Sequence, residues 1–115
     1  MTVQEIIQAL SLEVLAAGSK CLGRHVTRGY ASDMLSCVMA GAQAGSIWVT
    51  MQGHPNVVAV ASLLDVAAVV VTEHAPVDPA TVQRALEHEI ALLTTPRDTF
   101  TTVAQLASFG IQGCR

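Results

Sequence analysis

Ala67 to Val71 is apolar at every position. An unbroken run of that length fits a parallel strand covered on both faces, and so a central strand of a layered α/β sheet. The composition agrees: 51% of the residues are hydrophobic and only 13% charged, with a mean hydropathy of +0.48, which excludes low-hydrophobicity disorder. Trp48, Tyr30, Phe100 and Phe109 make up the aromatic complement while alanine and valine dominate, so the core is one of closely approaching elements rather than of large rings. At 115 residues the chain supports one domain, 1–115, without room for a second core of independent stability.

Around that run, helical and strand patterns alternate. Thr2 and Glu5 have capping-box spacing beside Val3, Ile6, Ile7 and Leu10, which predicts an amphipathic helix. Leu12 to Ala17 reads as a buried strand closed by Gly18, and Ser19 to Tyr30 as an irregular loop holding Lys20, Arg24, His25 and Arg28. Ser32 or Asp33 can cap a helix with Leu35, Val38, Met39 and Ala42 at helical spacing, ended by Gly41 and Gly45. Ile47 to Met51 is the next strand; it stops at the turn cluster Gln52 to Asn56, where Pro55 is placed to start a helix striped by Val57, Val60, Ala61 and Leu64. After the Ala67–Val71 run, Asp78 and Pro79 open a helix to about Glu87, and Ile90 to Thr94 forms a strand. Thr95, Pro96 and Asp98 precede a last helix with Phe100, Val103, Ala104 and Ala107 on one face, stopped by Gly110. The alternation predicts an α/β fold: a mainly parallel sheet of four or five strands, helices packed against it and right-handed crossovers.

Charge and hydropathy narrow the function classes. Six Lys+Arg against nine Asp+Glu give a net charge of −3, which argues against a nucleic-acid binder. The most apolar window, Val57 to Thr72, is broken by Asp65 and falls short of the roughly 20 apolar residues of a spanning helix. The first ten residues have no basic region and carry Glu5, unlike a signal peptide. Cys21, Cys37 and Cys114 are an odd number without framework spacing, as expected of free thiols in a reducing compartment. The expectation is a cytoplasmic protein without membrane contact.

From Val26 the chain reads V-T-R-G-Y-A-S-D-M-L-S-C-V-M, then W-V-T-M-Q-G-H-P-N-V-V-A-V-A, and later L-L-T-T-P-R-D-T-F. These segments resemble the stand-alone DRTGG-domain proteins, a family related to the N-terminal domain of HPr kinase/phosphorylase and to the middle domain of some CBS-containing pyrophosphatases. The resemblance covers nearly the whole chain and is most specific in the G-Y-x-S-D-x-L-S block at Gly29 to Ser36 and the H-P-N turn at His54 to Asn56. The chain departs at Arg28, which stands where the family has the first glycine of its namesake stretch. The resemblance implies an α/β domain similar to the HPr kinase N-terminal domain, serving as a dimerising or regulatory module. Some stand-alone members occur beside hydrogenase and electron-transfer genes. The kinase activity of larger relatives belongs to a separate domain with a phosphate loop, and no G-x-x-x-x-G-K-[ST] string exists here.

The candidate ligand-binding residues are Arg28, Gly29, Asp33, His54 and Asn56. His54 to Asn56 lie where a strand meets a helix start, the place where open α/β sheets offer backbone N–H groups to anions. If the strands ending at Gly18, Gln52, Thr72 and Thr95 are parallel, their loops gather at one edge and Arg28, His54 and Asn56 converge on a small anion or nucleotide. The competing reading makes Asn56 and Asp33 helix caps, with His54 bonded to a neighbouring loop and Thr94, Thr95 and Asp98 also in capping roles. Cys21 and His25 lack the further ligands of a zinc site, and Cys37 reads as a small core or interface residue. No catalytic residue, metal or cofactor is expected. The leading function is a regulatory or protein-interaction module without catalysis, paired as a homodimer and contacting an unidentified protein; the alternative is a sensor of a nucleotide or other anion. The low charge motivates the dimer, with an interface on the helix around Met34, Val38 and Met39 or on the final helix with Phe109 and Ile111.

Overall fold

A computed structural model describes residues 1–114. The chain runs α1 (Val3–Leu10), β1 (Glu13–Ala16), α2 (Ser19–Leu22), β2 (Gly29–Ala31), α3 (Leu35–Gly41), β3 (Ile47–Thr50), α4 (Asn56–Leu64), β4 (Ala68–Val71), α5 (Pro79–Glu87), β5 (Leu92–Thr94) and α6 (Thr99–Ser108). The five strands form one sheet in the order β1-β5-β4-β3-β2. Pairs β2–β3, β3–β4 and β4–β5 are parallel, and β1 alone is antiparallel, on β5. The expected mainly parallel α/β sheet is therefore present.

Every residue of β3 and β4 is buried, and their side chains divide by parity. Ile47, Val49, Ala68 and Val70 join Val3, Ile6 and Leu10 of α1 and Leu106 of α6 in one core. Trp48, Val69 and Val71 join Val38 of α3, Val57, Val58 and Ala61 of α4 and Ala85 of α5 in the other. The three successive crossovers from β2 to β5 step across the sheet in one direction, so α3, α4 and α5 share a face. The chain then turns back, and α6 covers the opposite face with α1. Local chemistry sets the helix starts: Thr2 and Glu5 close a reciprocal capping box on α1, and Asp78 and Asp98 cap α5 and α6.

Four expectations are corrected. The stretch from Ser19 to Tyr30 is not irregular throughout, because it holds α2 and the edge strand β2. β1 is an edge strand rather than a buried one, since antiparallel pairing on one side leaves Glu13 and Val14 exposed. Its reversed direction also carries Gly18 to the sheet edge where the parallel strands begin, away from Gln52, Thr72 and Thr95. Val38 is fully buried beneath α3 and is not available to an interface.

The crossover loops are tied together by close backbone approach. The Gly53 carbonyl accepts from the Thr81 hydroxyl at 2.7 Å and from the Asp78 amide at 3.1 Å. A Cβ at Gly53 would overlap the Pro76 carbonyl oxygen and lie 2.8 Å from the Val77 Cα, both of them backbone that cannot rotate away. Gly53→Ala is therefore expected to cost about 1–3 kcal/mol, the range of an overpacked site, read as a lower urea midpoint at unchanged slope.

Candidate functional site

The edge at which β2 to β5 end carries most of the polar residues singled out by the sequence. Asp33, two residues past β2, does not cap α3. Its Oδ1 accepts from the Thr50 hydroxyl and from the Met51 amide, each at 2.8 Å. The Gln52 side chain donates to the Asp33 carbonyl at 3.1 Å, and the Trp48 indole N–H to the Ser32 carbonyl at 2.9 Å. Ser32 Oγ takes the Met34 amide at 3.2 Å, the bond that serves the start of α3. The Tyr30 hydroxyl donates to the Cys37 carbonyl at 3.0 Å, and its ring occupies the space a Cβ on Gly41 would need. The Gly-Tyr-x-Ser-Asp block is thus a lock that fastens β2 to β3 and α3.

A row of buried threonines continues the seam. Thr50, Thr72 and Thr95 are each at most 1% exposed. The Thr72 hydroxyl sits 2.7 Å from that of Thr99, and the Thr95 Oγ1 accepts from the Arg97 amide at 3.3 Å. Thr94 is bonded to the Val71 carbonyl and takes no capping role.

Helix starts at this edge are satisfied from within the chain. Asn56 is the first residue of α4 rather than its cap; its amide donates to His54 Nδ1 at 3.0 Å. Asp78 Oδ1 takes the Ala80 amide at 2.9 Å. On α6, Glu73 takes the Thr99 amide at 2.7 Å and Asp98 takes the Thr101 amide at 3.0 Å. The edge bears the carboxylates of Glu13, Asp33, Glu73, Asp78 and Asp98, while the Arg97 guanidinium is turned to the Leu10 carbonyl and Thr95. The amides that would hold an anion at these helix starts already face the chain's own acceptors.

The sequence-selected residues therefore do not form one cleft. Asp33, His54 and Asn56 lie at the strand C-terminal edge. Arg28 and Gly29 lie at the other end of the same strands, where the Ile47 amide donates to the Arg28 carbonyl at 2.8 Å. The Arg28 guanidinium bonds Gln112 Oε1 at 3.0 Å, and the Gly29 amide donates to the Gln112 carbonyl at 2.8 Å, so both anchor the segment after α6. No positive φ is needed at Arg28. Among the described residues no group of three His, Cys, Asp or Glu side chains is arranged to hold a metal, and no helix is long and apolar enough to cross a membrane.

A concave site does exist elsewhere. Between β2, β3, α6 and the segment after it lies a groove of about 360 Å³, reaching Gly29, Ala31, Val49, Val103, Leu106 and Ile111. Of the five sequence-selected residues only Gly29 touches it. The available signal is two small residues, Gly29 and Ala31, alternating on one face of β2.

The family model for the DRTGG domain matches residues 5–109. Among solved structures the chain is similar to the CBS and DRTGG domains of the regulatory region of Clostridium perfringens pyrophosphatase, complexed with the activator diadenosine tetraphosphate. That match has a TM-score of 0.73 at 19% identity and covers 91% of this chain and 45% of the other. At that identity the likeness shows the fold, and this chain spans less than half the length of the solved one. No curated protein matches the chain in sequence.

Asp33→Ala strips the buried Thr50 hydroxyl of its acceptor and should cost about 1–3 kcal/mol; the penalty should shrink when Thr50 is already valine, as a double-mutant cycle in urea would read. Bonds from the Thr101 hydroxyl and then from its amide hold the Asp98 carboxyl below the usual aspartate range. The cap is then fully present above about pH 4 and drains away as the pH falls through the lowered folded value. The difference in melting temperature between the natural chain and Asp98→Ala should narrow over that acid range and stay constant above it.

Proposed function

The chain belongs to the DRTGG domain family, and from that membership we propose that it is a non-catalytic regulatory module in the cytoplasm that pairs with a second copy of itself and contacts another protein. One observation carries the reading. From Met34 to Leu64 the sequence has no Asp, Glu, Lys or Arg, although this stretch includes two surface helices, α3 and α4, that pack side by side. Met34, Met39, Met51 and Leu63 in this stretch are each between 48% and 69% exposed.

Solvated helices normally carry charge on their outer face. A two-fold interface sets a patch against its own copy, so a charged patch meets like charge and a neutral one does not. With a net charge of −3 on the chain, this face is where two copies approach with least repulsion. The protein contacted in turn, by the resemblance, belongs to a hydrogenase or electron-transfer system. A second reading, sensing of a nucleotide, is supported by the solved regulatory region with its bound diadenosine tetraphosphate and by the apolar groove beside Gly29.

Sedimentation at tens of micromolar should give twice the 12.0 kDa chain mass, and Met39→Glu should halve it while leaving the circular dichroism spectrum unchanged. A 12.0 kDa particle for the natural chain rejects the pairing.

A further inference from the structure

We propose that the groove beside β2 is a binding site for one planar heteroaromatic ring with a hydrogen-bond acceptor next to a donor on its edge, the pattern of an aminopurine base. The site deepens the nucleotide reading and is independent of the pairing of two copies.

Three features of the fold point there. On the α1–α6 face two long helices cover a five-stranded sheet, and the corner over β2 and β3 is left partly bare. Glycine and alanine are the β2 residues facing that way, in register with Ile47 and Val49. Ile111 covers Gly29, its Cγ2 only 3.2 Å from where a glycine Cβ would stand, so the hollow opens over Ala31. Its walls are mainly aliphatic, from Val49, Leu106, Val103, Ala107 and Ile111, with Gln112 and Cys114 beside them, and among the described residues no charged side chain lines it.

The polar group at its rim is main chain. In a parallel pair, alternate residues turn their N–H and C=O to opposite sides. The Arg28 carbonyl accepts from Ile47 and the Ser32 amide donates to Val49, so Gly29 and Ala31 face away from β3. The Gly29 amide is taken by Gln112. Ala31, exposed at the outer edge, has no hydrogen-bond partner on that side among the described residues. One donor and one acceptor remain, side by side on the open edge of β2 that borders the apolar hollow.

Size and count choose the occupant. Drug-sized sites start near 300 Å³, so about 360 Å³ holds one ring system and not a whole dinucleotide. An added strand needs a ladder of several residues, but the segment at Gly113 already fills the neighbouring position at Gly29. A ring edge needs only the single pair that Ala31 offers: the amide donates to a ring nitrogen and the carbonyl accepts from the exocyclic amine. With no charge in the walls among the described residues, a sugar or phosphate stays at the mouth.

The test titrates the natural chain with adenosine and with dimethyladenosine, whose exocyclic nitrogen carries no hydrogen, following backbone amides by NMR. Adenosine should shift Ala31, Ala107 and Gly113 with one saturable curve, and dimethyladenosine should bind about tenfold more weakly, the loss expected for one unmade hydrogen bond. Ala107→Phe, on the exposed side of α6, fills the hollow and should abolish the shifts; Val103→Phe serves the same end if the first variant loses its dispersed spectrum. No shift at millimolar adenosine, equal binding of the two probes, shifts mapping away from β2 and α6, or shifts that survive both fillings overturn the proposal. Sedimentation of the same samples reports the pairing of copies separately, so failure of one reading leaves the other standing.

Discussion

Two strands without a solvent-facing residue govern this architecture. β3 and β4 bury every side chain, so the sheet must be covered on both faces. Each fully buried large apolar side chain contributes roughly 1.5–3 kcal/mol relative to exposure, and the two cores divide those residues by strand parity. With β2 to β5 laid down in one direction, right-handed crossovers put α3, α4 and α5 on a single face. The opposite face is left to α1, α2 and the returning α6. That imbalance leaves the corner over β2 incompletely covered, and the groove lies there.

The conspicuous polar residues have a different task. Parallel strands end together, and their loops bring backbone groups and threonine hydroxyls to one edge, where each buried one needs a partner. Asp33 supplies partners to Thr50 and Met51, Glu73 and Asp98 to the start of α6, and His54 to the start of α4. These bonds occupy the donors that an anion would otherwise use. The carboxylates that make them leave the edge acidic. The Gly-Tyr-x-Ser-Asp block and the His-Pro-Asn turn are therefore explained by packing and hydrogen-bond closure at their own positions.

The surface reads by charge distribution rather than by motif. The uncharged stretch from Met34 to Leu64 contributes two central features at once: the buried strand β3 and the two helices that hide one side of it. Burial explains the missing charge on β3 and on the inner sides of α3 and α4. It does not explain the outer sides, where Met39 and Leu63 face solvent; the proposed pairing of two copies would cover them.

The fold class, the start of α1, α5 and α6, and the central place of β4 are legible in the sequence, because capping boxes, Asp-Pro starts and unbroken apolar runs act over a few residues and owe little to distant parts of the chain. It also carried the family resemblance over nearly its whole length. The direction of β1, the existence of β2 and the grouping of the candidate residues are set by contacts between distant parts of the chain. β1 could pair either way at the edge of β5, and its direction fixes which end of the sheet Gly18 reaches. β2 is three residues, Gly29–Ala31, with weak intrinsic preference, and exists because β3 and the segment at Gly113 pair with it. Arg28 precedes that strand and Asp33 follows it, so two residues only five positions apart lie at opposite ends of the sheet: an extended strand rises about 3.3 Å per residue, and no local pattern records which end a loop has reached.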